Sequence, residues 1–192
     1  LNTSMINNGG EFFAFGVFTP FDFSDAPLTG TSYASANHRT ISTFDLGAAF
    51  TTEGAAYDSL TATGDVDDGV TLPASMTAGV PVTMTVAAPN AGYLSAWFDW
   101  NDDGDFADAG EQVATDIVNG GAGDTDGAAN GVITFNVTPT TGTAQTFARF
   151  RLSSKTGAPS SGLHGFGEIE DYQVVILNKA VLTLVKSNTV WN

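Results

Sequence analysis

The sequence predicts an all-β protein, an antiparallel β-sandwich of the jelly-roll or immunoglobulin-like kind, with long loops and β-prone terminal extensions. Three observations predict this class. Apolar and polar residues alternate with a period of two in most regular segments, as in strands that bury one face. Gly, Pro, Asn and Asp cluster between these segments at spacings typical of hairpins. No stretch combines an apolar stripe at helical spacing with helix caps.

Six segments are predicted to be strands. In the segment "VPVTMTVAA", Val80, Val82, Met84 and Val86 share one face while Thr83 and Thr85 share the other, which is typical of a half-buried strand. The segments 131–137 and 146–153 alternate in the same way and are also predicted to be half-buried. The predicted strands cover residues 80–88, 93–100, 111–118, 131–137, 146–153 and 171–177. Residues 45–68, 119–131 and 153–167 are predicted to be irregular, and residues 119–131 to form a flexible hairpin loop.

Length and composition favour one globular domain with an extension at each end. The chain has 192 residues, 42% of them hydrophobic, and no Cys, so disulfides and thiolate metal sites are excluded. We expect an extension at 1–20, a sandwich at 21–177 and a strand extension at 178–192. The apolar, nearly uncharged ends predict strands that pair either within the subunit or with another copy.

The charge balance excludes several classes of partner. Only 6 Lys and Arg stand against 21 Asp and Glu, a formal net charge of -15, so nucleic acid and anionic lipid are poor partners. No apolar run is long enough to span a bilayer, and we expect no membrane insertion. Because Leu1 is not an initiator Met, the chain is either an excised fragment or a mature protein whose signal was removed, and we expect a secreted, extracellular or cell-surface protein.

An acidic loop at 97–113 has the spacing of a cation site. Asp99, Asn101 and Asp103 occupy the first, third and fifth places, Gly104 the sixth and Asp105 the seventh, as in the opening half of an EF-hand loop. The closing half departs from that pattern, because Glu111 follows one residue after the twelfth place. We expect calcium to bind Asp99, Asn101, Asp103, Asp105 and Glu111. A solvated acidic hairpin is the alternative, because Asp, Asn and Gly also favour turns.

Several motifs in order resemble the GEVED domain, a β-sandwich module of bacterial secreted and surface proteins. They are "FDFSDAP" at 21–27, "DDGV" at 67–70, "AWFDWNDDGDFADAGEQV" at 96–113, "ARFRLS" at 148–153 and "GEIEDYQV" at 167–174. Ile169 stands where the family usually has Val, and Ser24 where it usually has Gly. The resemblance implies a calcium-associated extracellular sandwich with no known catalytic role, usually placed within long multidomain surface proteins.

A second cation site is predicted from acids that fall at strand ends, where one pole of a sandwich could gather them. The alternative is that the acids of 168–171 solvate a strand entrance and that Arg149 or Arg151 pairs with one of them. The candidate ligands of this second site are Asp22, Asp25, Asp67, Asp68, Glu168, Glu170 and Asp171.

Catalysis is not expected. His38 and His164 are the only histidines, and both are predicted to be surface or turn residues rather than bases. Trp97 and Trp100 lie on opposite faces of one predicted strand, so they cannot form a sugar-stacking platform together, and core positions are expected for them.

Two functions follow as expectations. The first is a structural module of a surface layer, adhesin or fibre, with itself or neighbouring surface domains as partners, assembled head-to-tail by strand addition. The second is a module that binds carbohydrate or a host surface through the loops at 119–131 and 153–167.

Overall fold

A computed structural model describes residues 5–8, 11–14, 20–28, 30–31, 33–41 and 43–180. Every regular element in these ranges is a strand. In chain order they are β1 (Met5–Asn8), β2 (Glu11–Ala14), β3 (Phe21–Phe23), β4 (Ala36–Arg39), β5 (Val70–Thr71), β6 (Met76–Thr77), β7 (Val82–Ala87), β8 (Tyr93–Phe98), β9 (Gln112–Ile117), β10 (Val132–Val137), β11 (Thr146–Ser153), β12 (Gly162–Val174) and β13 (Ile176–Leu177).

Two sheets face each other, which confirms the predicted all-β sandwich. The larger sheet has the order β3-β4-β12-β11-β8-β9 and the smaller one β10-β7-β5. Alternate residues of the central strands point into the space between them, as period-two patterning requires. The main core therefore draws on β7, β8, β10 and β11, and includes Met84, Leu94, Phe98, Phe135 and Phe150.

The central strands of the large sheet are buried on both faces, so the expectation that 146–153 form a half-buried strand was wrong. All eight residues of β11 are buried. Its second face carries Arg149 and Arg151, whose charges suggested solvent, but connecting segments cover them. A smaller apolar cluster containing Tyr33, Trp97 and Phe147 lies on this side.

Not every strand pair is antiparallel. β12 runs parallel to β4, and β13 runs parallel to β6. β12 also begins at Gly162, so the last six residues of the segment predicted to be irregular at 153–167 belong to a long strand. Four glycines between 157 and 167 obscured its alternation in the sequence.

The segment at 119–131 is not a hairpin loop. β9 pairs with β8 in the large sheet and β10 pairs with β7 in the small one, so this connection crosses between the sheets. It has internal hydrogen bonds: Asp124 accepts from the Gly120 N–H at 2.9 Å and the Thr134 N–H at 3.0 Å. The turn-forming residues that suggested a flexible loop build this ordered crossover.

The terminal extensions are described in part. β1 and β2 form an antiparallel hairpin with the register Met5↔Ala14, and both are edge strands of a two-stranded sheet. Residues 178–180 carry no strand, and the rest of the predicted C-terminal strand lies outside the described residues. Within the described ranges, no helix has the length and apolarity needed to cross a bilayer.

Candidate metal centre

The acidic loop begins where β8 ends, at a buried carboxylate. Asp99 is 0% exposed and its side chain turns back into the loop that follows. Its Oδ1 accepts from the Asp102 N–H at 2.6 Å and its Oδ2 from the Gly104 N–H at 3.0 Å. The Tyr33 hydroxyl donates to Oδ2 as well. Asp99 therefore fixes the first turn of the loop, whatever else it binds.

The loop bends at two residues with left-handed backbone. Asp102 has φ 58° and Gly104 has φ 89°. Glycine adopts this conformation without a Cβ clash, and Asp tolerates it better than most residues. The bend at the sixth loop place is the one that the sequence spacing predicted, and it returns the following residues toward Asp99.

Three carboxylates of the loop meet. Asp99, Asp103 and Glu111 each offer one oxygen, and these oxygens lie within 4.8 Å of one another. Two oxygens bound to the same Ca²⁺ at about 2.3–2.6 Å are separated by at most about 5 Å, so the group has the size of a calcium site. Asp99 and Glu111 are buried while Asp103 is exposed. An ion would thus enter from the side of Asp103.

Glu111 is held at the thirteenth place by two backbone donors. Its Oε1 accepts from the Trp100 N–H at 3.2 Å and its Oε2 from the Asp108 N–H at 3.0 Å. The additional loop residue relative to an EF-hand is accommodated by a turn in which Gly110 has φ 92°. The strand-to-strand loop therefore brings its closing Glu to Asp99 despite the changed spacing.

Asn101 and Asp105 lie around this group rather than in it. The Asn101 Nδ2 donates to Asp103 Oδ2 at 3.1 Å and to Asp108 Oδ2 at 2.7 Å. A half-turn of the amide would present its oxygen on the same side, toward Asp103. The Asp105 carboxylate instead accepts from the Ala107 N–H at 2.8 Å, so the structure does not bring it to Asp99.

The grouping of acids perturbs their protonation. Burial raises the pKa of Glu111 to about 7; the Asp108 N–H bond opposes this change and the nearby Asp99 carboxylate adds to it. Burial and the charges of Asp99 and Asp103 also raise the pKa of Asp102. Asp99 and Glu111 are 0% and 1% exposed, so water does not screen their charges. The alternative of a solvated acidic hairpin therefore applies only to the exposed part of the loop.

The predicted second site takes a different form. Two groups of carboxylates share Asp65: one joins it to Asp22 and Glu53, the other to Asp25 and Asp67, each with oxygens within 4.8 Å. Asp22, Asp25 and Asp67 were predicted, whereas Glu53 and Asp65 were not. Both missed residues lie in the irregular segment 45–68, where only the alternation of Asp65 and Asp67 next to glycines gave a signal.

The other four predicted ligands bind protein groups. Asp68 accepts from the Ala48 N–H at 3.0 Å, and Glu168 accepts from the Leu46 N–H. The Glu170 Oε1 accepts from the N–H groups of Asp68 at 3.0 Å and Gly69 at 2.8 Å. Glu168 and Glu170 of the "GEIED" motif thereby connect β12 to the segment before β5.

Asp171 forms a buried ion pair with Arg149, as the alternative to the second site predicted. The guanidinium binds both carboxylate oxygens, with Nε to Oδ1 at 2.7 Å and Nη2 to Oδ2 at 2.8 Å. Both side chains are fully buried. Such bidentate pairs are directional as well as strong, and this one fixes the register of β11 against β12.

Four acids of the second cluster, Asp22, Asp25, Asp65 and Asp67, have raised pKa values. Burial is the main cause and neighbouring carboxylates add to it, raising the pKa of Asp25 to about 6, that of Asp65 to about 8 and that of Asp67 to about 10. The pKa of Asp22 is also raised by burial. Together these acids could be neutralised either by protons or by a cation.

The histidines are not surface residues of turns, contrary to expectation. His38 lies in β4 with 0% exposure, and its Nε2 accepts from the Arg151 Nε at 3.0 Å. Burial and the Arg151 charge lower the pKa of His38 well below its usual value. His164 lies in β12 and is half-buried. The expected core positions of Trp97 and Trp100 are confirmed, in the two separate clusters.

Gly167 opens the "GEIED" motif and cannot carry a side chain. A Cβ on it would collide with the carbonyl oxygen of Leu152 on the neighbouring strand and approach the His38 ring to 2.9 Å. The glycine therefore lets β12 lie close to β11, its neighbour in the sheet, and to the buried His38.

Comparison with known proteins identifies one family. Residues 93–175 match the family model of the GEVED domain, which confirms the resemblance indicated by the sequence motifs over this stretch. The matched stretch extends from β8 to the end of β12 and contains the whole acidic loop. No curated protein and no solved structure matched the chain.

Proposed function

We propose that this chain, with its GEVED domain at 93–175, is a non-enzymatic extracellular structural module that binds calcium in its acidic loop. The proposal includes a place in a bacterial surface layer, adhesin or fibre. The observation that carries it is the meeting of Asp99, Asp103 and Glu111 within the reach of one ion, in the part of the chain that the family model covers.

Calcium fits the chemistry and the position of this group. The ligand atoms are carboxylate oxygens, which hard divalent cations prefer, and neither Cys nor His takes part. The loop connects β8 to the edge strand β9 of the large sheet. An ion shared by the first and last acids of the loop would stabilise this edge, because it binds only the folded arrangement.

The enclosed position of His38 supports a non-enzymatic module. Its Nε2 lies 3.4 Å from the Ser153 hydroxyl, which suggests a nucleophile and base, but the same nitrogen accepts the Arg151 hydrogen bond. His38 and Ser153 both have 0% exposure, so substrate cannot reach them. General-base catalysis needs a free, accessible nitrogen.

Assembly by strand addition is part of the proposal. The large sheet ends in β3 and β9 and the small one in β5 and β10, and the N-terminal hairpin adds two further edges. An unpaired strand edge accepts another strand through main-chain hydrogen bonds. A terminal strand of one subunit that completes a sheet of the next produces a head-to-tail contact, which propagates into a filament.

A thermal melt in excess calcium and in chelator tests the calcium site. At calcium one hundred times Kd the gain is about 2.7 kcal/mol, and each kcal/mol raises Tm by about 2–4 °C in a chain of this size. We expect Asp99→Asn/Asp103→Asn to remove the part of the shift due to the loop, and Asp126→Asn, an exposed acid elsewhere, to keep it. An equal shift in the double variant would contradict the proposal.

Light scattering at rising protein concentration tests assembly. The whole chain is expected to grow in size, and a chain lacking residues 1–19 to stay monomeric with the same melting temperature. Growth that is unchanged by the deletion would exclude the N-terminal segment as the donor strand. A constant monomer mass for the whole chain at all concentrations would contradict self-assembly.

A glycan-binding module is the second candidate, favoured by one open cavity. The cavity has a volume of about 240 Å³ and is lined by Arg39, Lys155, Leu163, Gly165 and Phe166. Phe166 is 37% exposed and stands beside two cationic side chains, a combination that can stack on a sugar ring and bind its hydroxyls or acid groups. Binding on a glycan array that is lost in Phe166→Ala, with the fold unchanged, would support this candidate.

A further inference from the structure

A second group of acids, apart from the acidic loop, carries its own evidence for a ligand. Asp25 lies directly after β3, while Asp65 and Asp67 lie in the segment that precedes β5. Each offers an oxygen within 4.8 Å of the other two. A neighbouring group, formed by Asp22 and Glu53 with the same Asp65, extends the cluster to five carboxylates.

Three carboxylate oxygens of this group are buried without a hydrogen-bond partner among the described residues. They are Oδ1 of Asp25, of Asp65 and of Asp67. Asp25 as a whole is only 1% exposed. A buried acceptor without a donor is costly, and most such groups in proteins are satisfied by protein, water or an ion. Unsatisfied oxygens on three converging acids indicate that something else binds there.

Protein cations do not fill this role. Within the described residues, Arg149 forms an ion pair with Asp171, and no Lys or Arg pairs with the five clustered acids. The few backbone donors engage other atoms: Gly64 N–H donates to Asp25 Oδ2 and Ile169 N–H to Asp22 Oδ2. The Arg149 charge opposes the rise in the pKa of Asp25 but is paired with Asp171, so the chain compensates the charge of the cluster only in part.

We infer that Asp25, Asp65 and Asp67 form a second, partly buried site for a hard divalent cation, calcium by its ligand chemistry, with Asp22 and Glu53 beside it. The separation of the offered oxygens fits ligands of one such ion. The site is independent of the acidic loop, because no residue is common to the two groups.

The ion would fasten a long connection to the sheet. The chain between β4 and β5 contains no regular strand among its described residues, and contacts β3 at few points. Glu53 N–H donates to the Phe21 carbonyl at 2.8 Å, and Phe23 N–H donates to Glu53 Oε2 at 3.1 Å. A cation bound by Asp25, Asp65 and Asp67 would add a link between the residues after β3 and the segment before β5.

Protons are the rival explanation. A pair of acids can share a proton instead of a metal, and the raised pKa values of Asp65 and Asp67 permit this at neutral pH. The two explanations differ in what calcium does: a cation site is filled and ordered by calcium, whereas a proton-sharing cluster neither binds it nor changes with it.

Calorimetric titration of the chelator-stripped full chain with calcium chloride tests the site. We compare the unmodified chain with Asp99→Asn/Asp103→Asn, with Asp65→Asn/Asp67→Asn and with Asp126→Asn. The control acid is exposed, and its Oδ1 accepts from the Ala128 N–H at 2.8 Å, a bond that Asn can keep. We expect two calcium ions in the unmodified chain and the control, and one in each double variant.

The outcomes separate this site from the acidic loop. Equal stoichiometry in Asp65→Asn/Asp67→Asn and the unmodified chain would overturn the inference, and so would loss of all binding in Asp99→Asn/Asp103→Asn. A loop variant that binds as many ions as the unmodified chain would instead overturn the calcium site of the proposed function.

Hydrogen exchange keeps the inference testable if Asp65→Asn/Asp67→Asn does not fold. In Asp99→Asn/Asp103→Asn, which retains the second cluster, calcium is expected to slow amide exchange in 43–69 by at least tenfold, including at Gly64 and Glu53. Unchanged exchange in 43–69 with calcium present would overturn the inference without any change to the cluster itself.

Discussion

The two acidic clusters are assembled in opposite ways. Every ligand of the acidic loop comes from one connection between neighbouring strands, and its central residue, Asp99, accepts hydrogen bonds from N–H groups of that same connection and from the Tyr33 hydroxyl. The second cluster combines Asp25, which follows β3, with Asp65 and Asp67 from the segment before β5, and leaves one oxygen of each without a partner. The loop is organised before any ion arrives, whereas the second cluster is held together against its own repulsion.

This difference predicts opposite responses to the same chemical change. Neutralising an acid in the loop removes an acceptor that orders the turn. Neutralising one in the second cluster removes an acid that must either repel its neighbours or take up a proton on folding. Asp171 differs from the acids of both clusters, because the chain itself neutralises it with Arg149.

The largest effect is expected from Arg149→Ala. It leaves Asp171 buried without its partner and adds another free carboxylate near Asp25, which should lower the free energy of unfolding by about 3–5 kcal/mol. Urea denaturation in chelator measures this. The double variant Arg149→Ala/Asp171→Ala should be less destabilised than the single one, and a loss below 1 kcal/mol in Arg149→Ala would show that the pair does not hold the sheet.

The pH dependence of stability separates protons from calcium. A carboxyl whose pKa is higher in the folded chain contributes stability that is fully present below its unfolded pKa of about 4. This contribution is lost as pH rises through the folded values, about 6 for Asp25, 7 for Glu111 and 8 for Asp65.

In chelator, unfolding free energy is therefore expected to fall between pH 5 and pH 8, by up to about 1.4 kcal/mol per pH unit for each acid that is protonated only in the folded chain. In saturating calcium the profile should be flatter, because the ion replaces the protons at the clustered acids. Urea melts across this range check both curves. Parallel curves in the two conditions would contradict a cation at either cluster.

Gly104→Ala should destabilise the loop through its backbone. Alanine at φ 89° costs about 1–2 kcal/mol, and the bend that brings Asp103 toward Asp99 is then strained. We expect a lower Tm and weaker calcium binding. Gly54→Ala is the matched control, because its Cβ would meet no atom within 4 Å and its φ is not left-handed. Equal effects of the two variants would contradict this role for Gly104.

The smallest expected effect is an increase in stability. In chelator at neutral pH, Asp67→Asn should raise the unfolding free energy by about 0.5–2 kcal/mol, because Asn needs no proton on folding, whereas Asp67, whose pKa is raised to about 10, must take one up. Asp99→Asn in the same buffer should lower it. Melts of both variants in chelator check the signs, and a loss of stability in Asp67→Asn would show that this acid is already satisfied.

The sequence predicted the loop because its ligands are local. Asp99, Asp103 and the Gly104 bend follow from spacing alone, and the strands on both sides follow from alternation. Glu111 departs from the expected place by one residue, and only the turn at Gly110 brings it back. Asp105 has the right position in the sequence but binds a neighbouring backbone N–H instead.

The second cluster could be predicted only in part, because tertiary contacts assemble it. Glu53 reaches Phe23 across thirty residues of chain, and no periodicity reports such a contact. The burial of His38 and Arg151 was missed for the same reason: Arg151 donates to His38 and to the Asn37 carbonyl, contacts across more than a hundred residues of chain that no local pattern reports. Acid spacing is visible in a sequence, whereas the partner of each acid is set by the fold.

A crystal grown with a lanthanide in place of calcium tests the central claim most directly, since the anomalous signal locates each ion without reference to stability. The account predicts two peaks, one among Asp99, Asp103 and Glu111 and one among Asp25, Asp65 and Asp67. The account would be contradicted if the electron density showed both clusters but neither had an anomalous peak, at lanthanide concentrations that saturate the chain in solution.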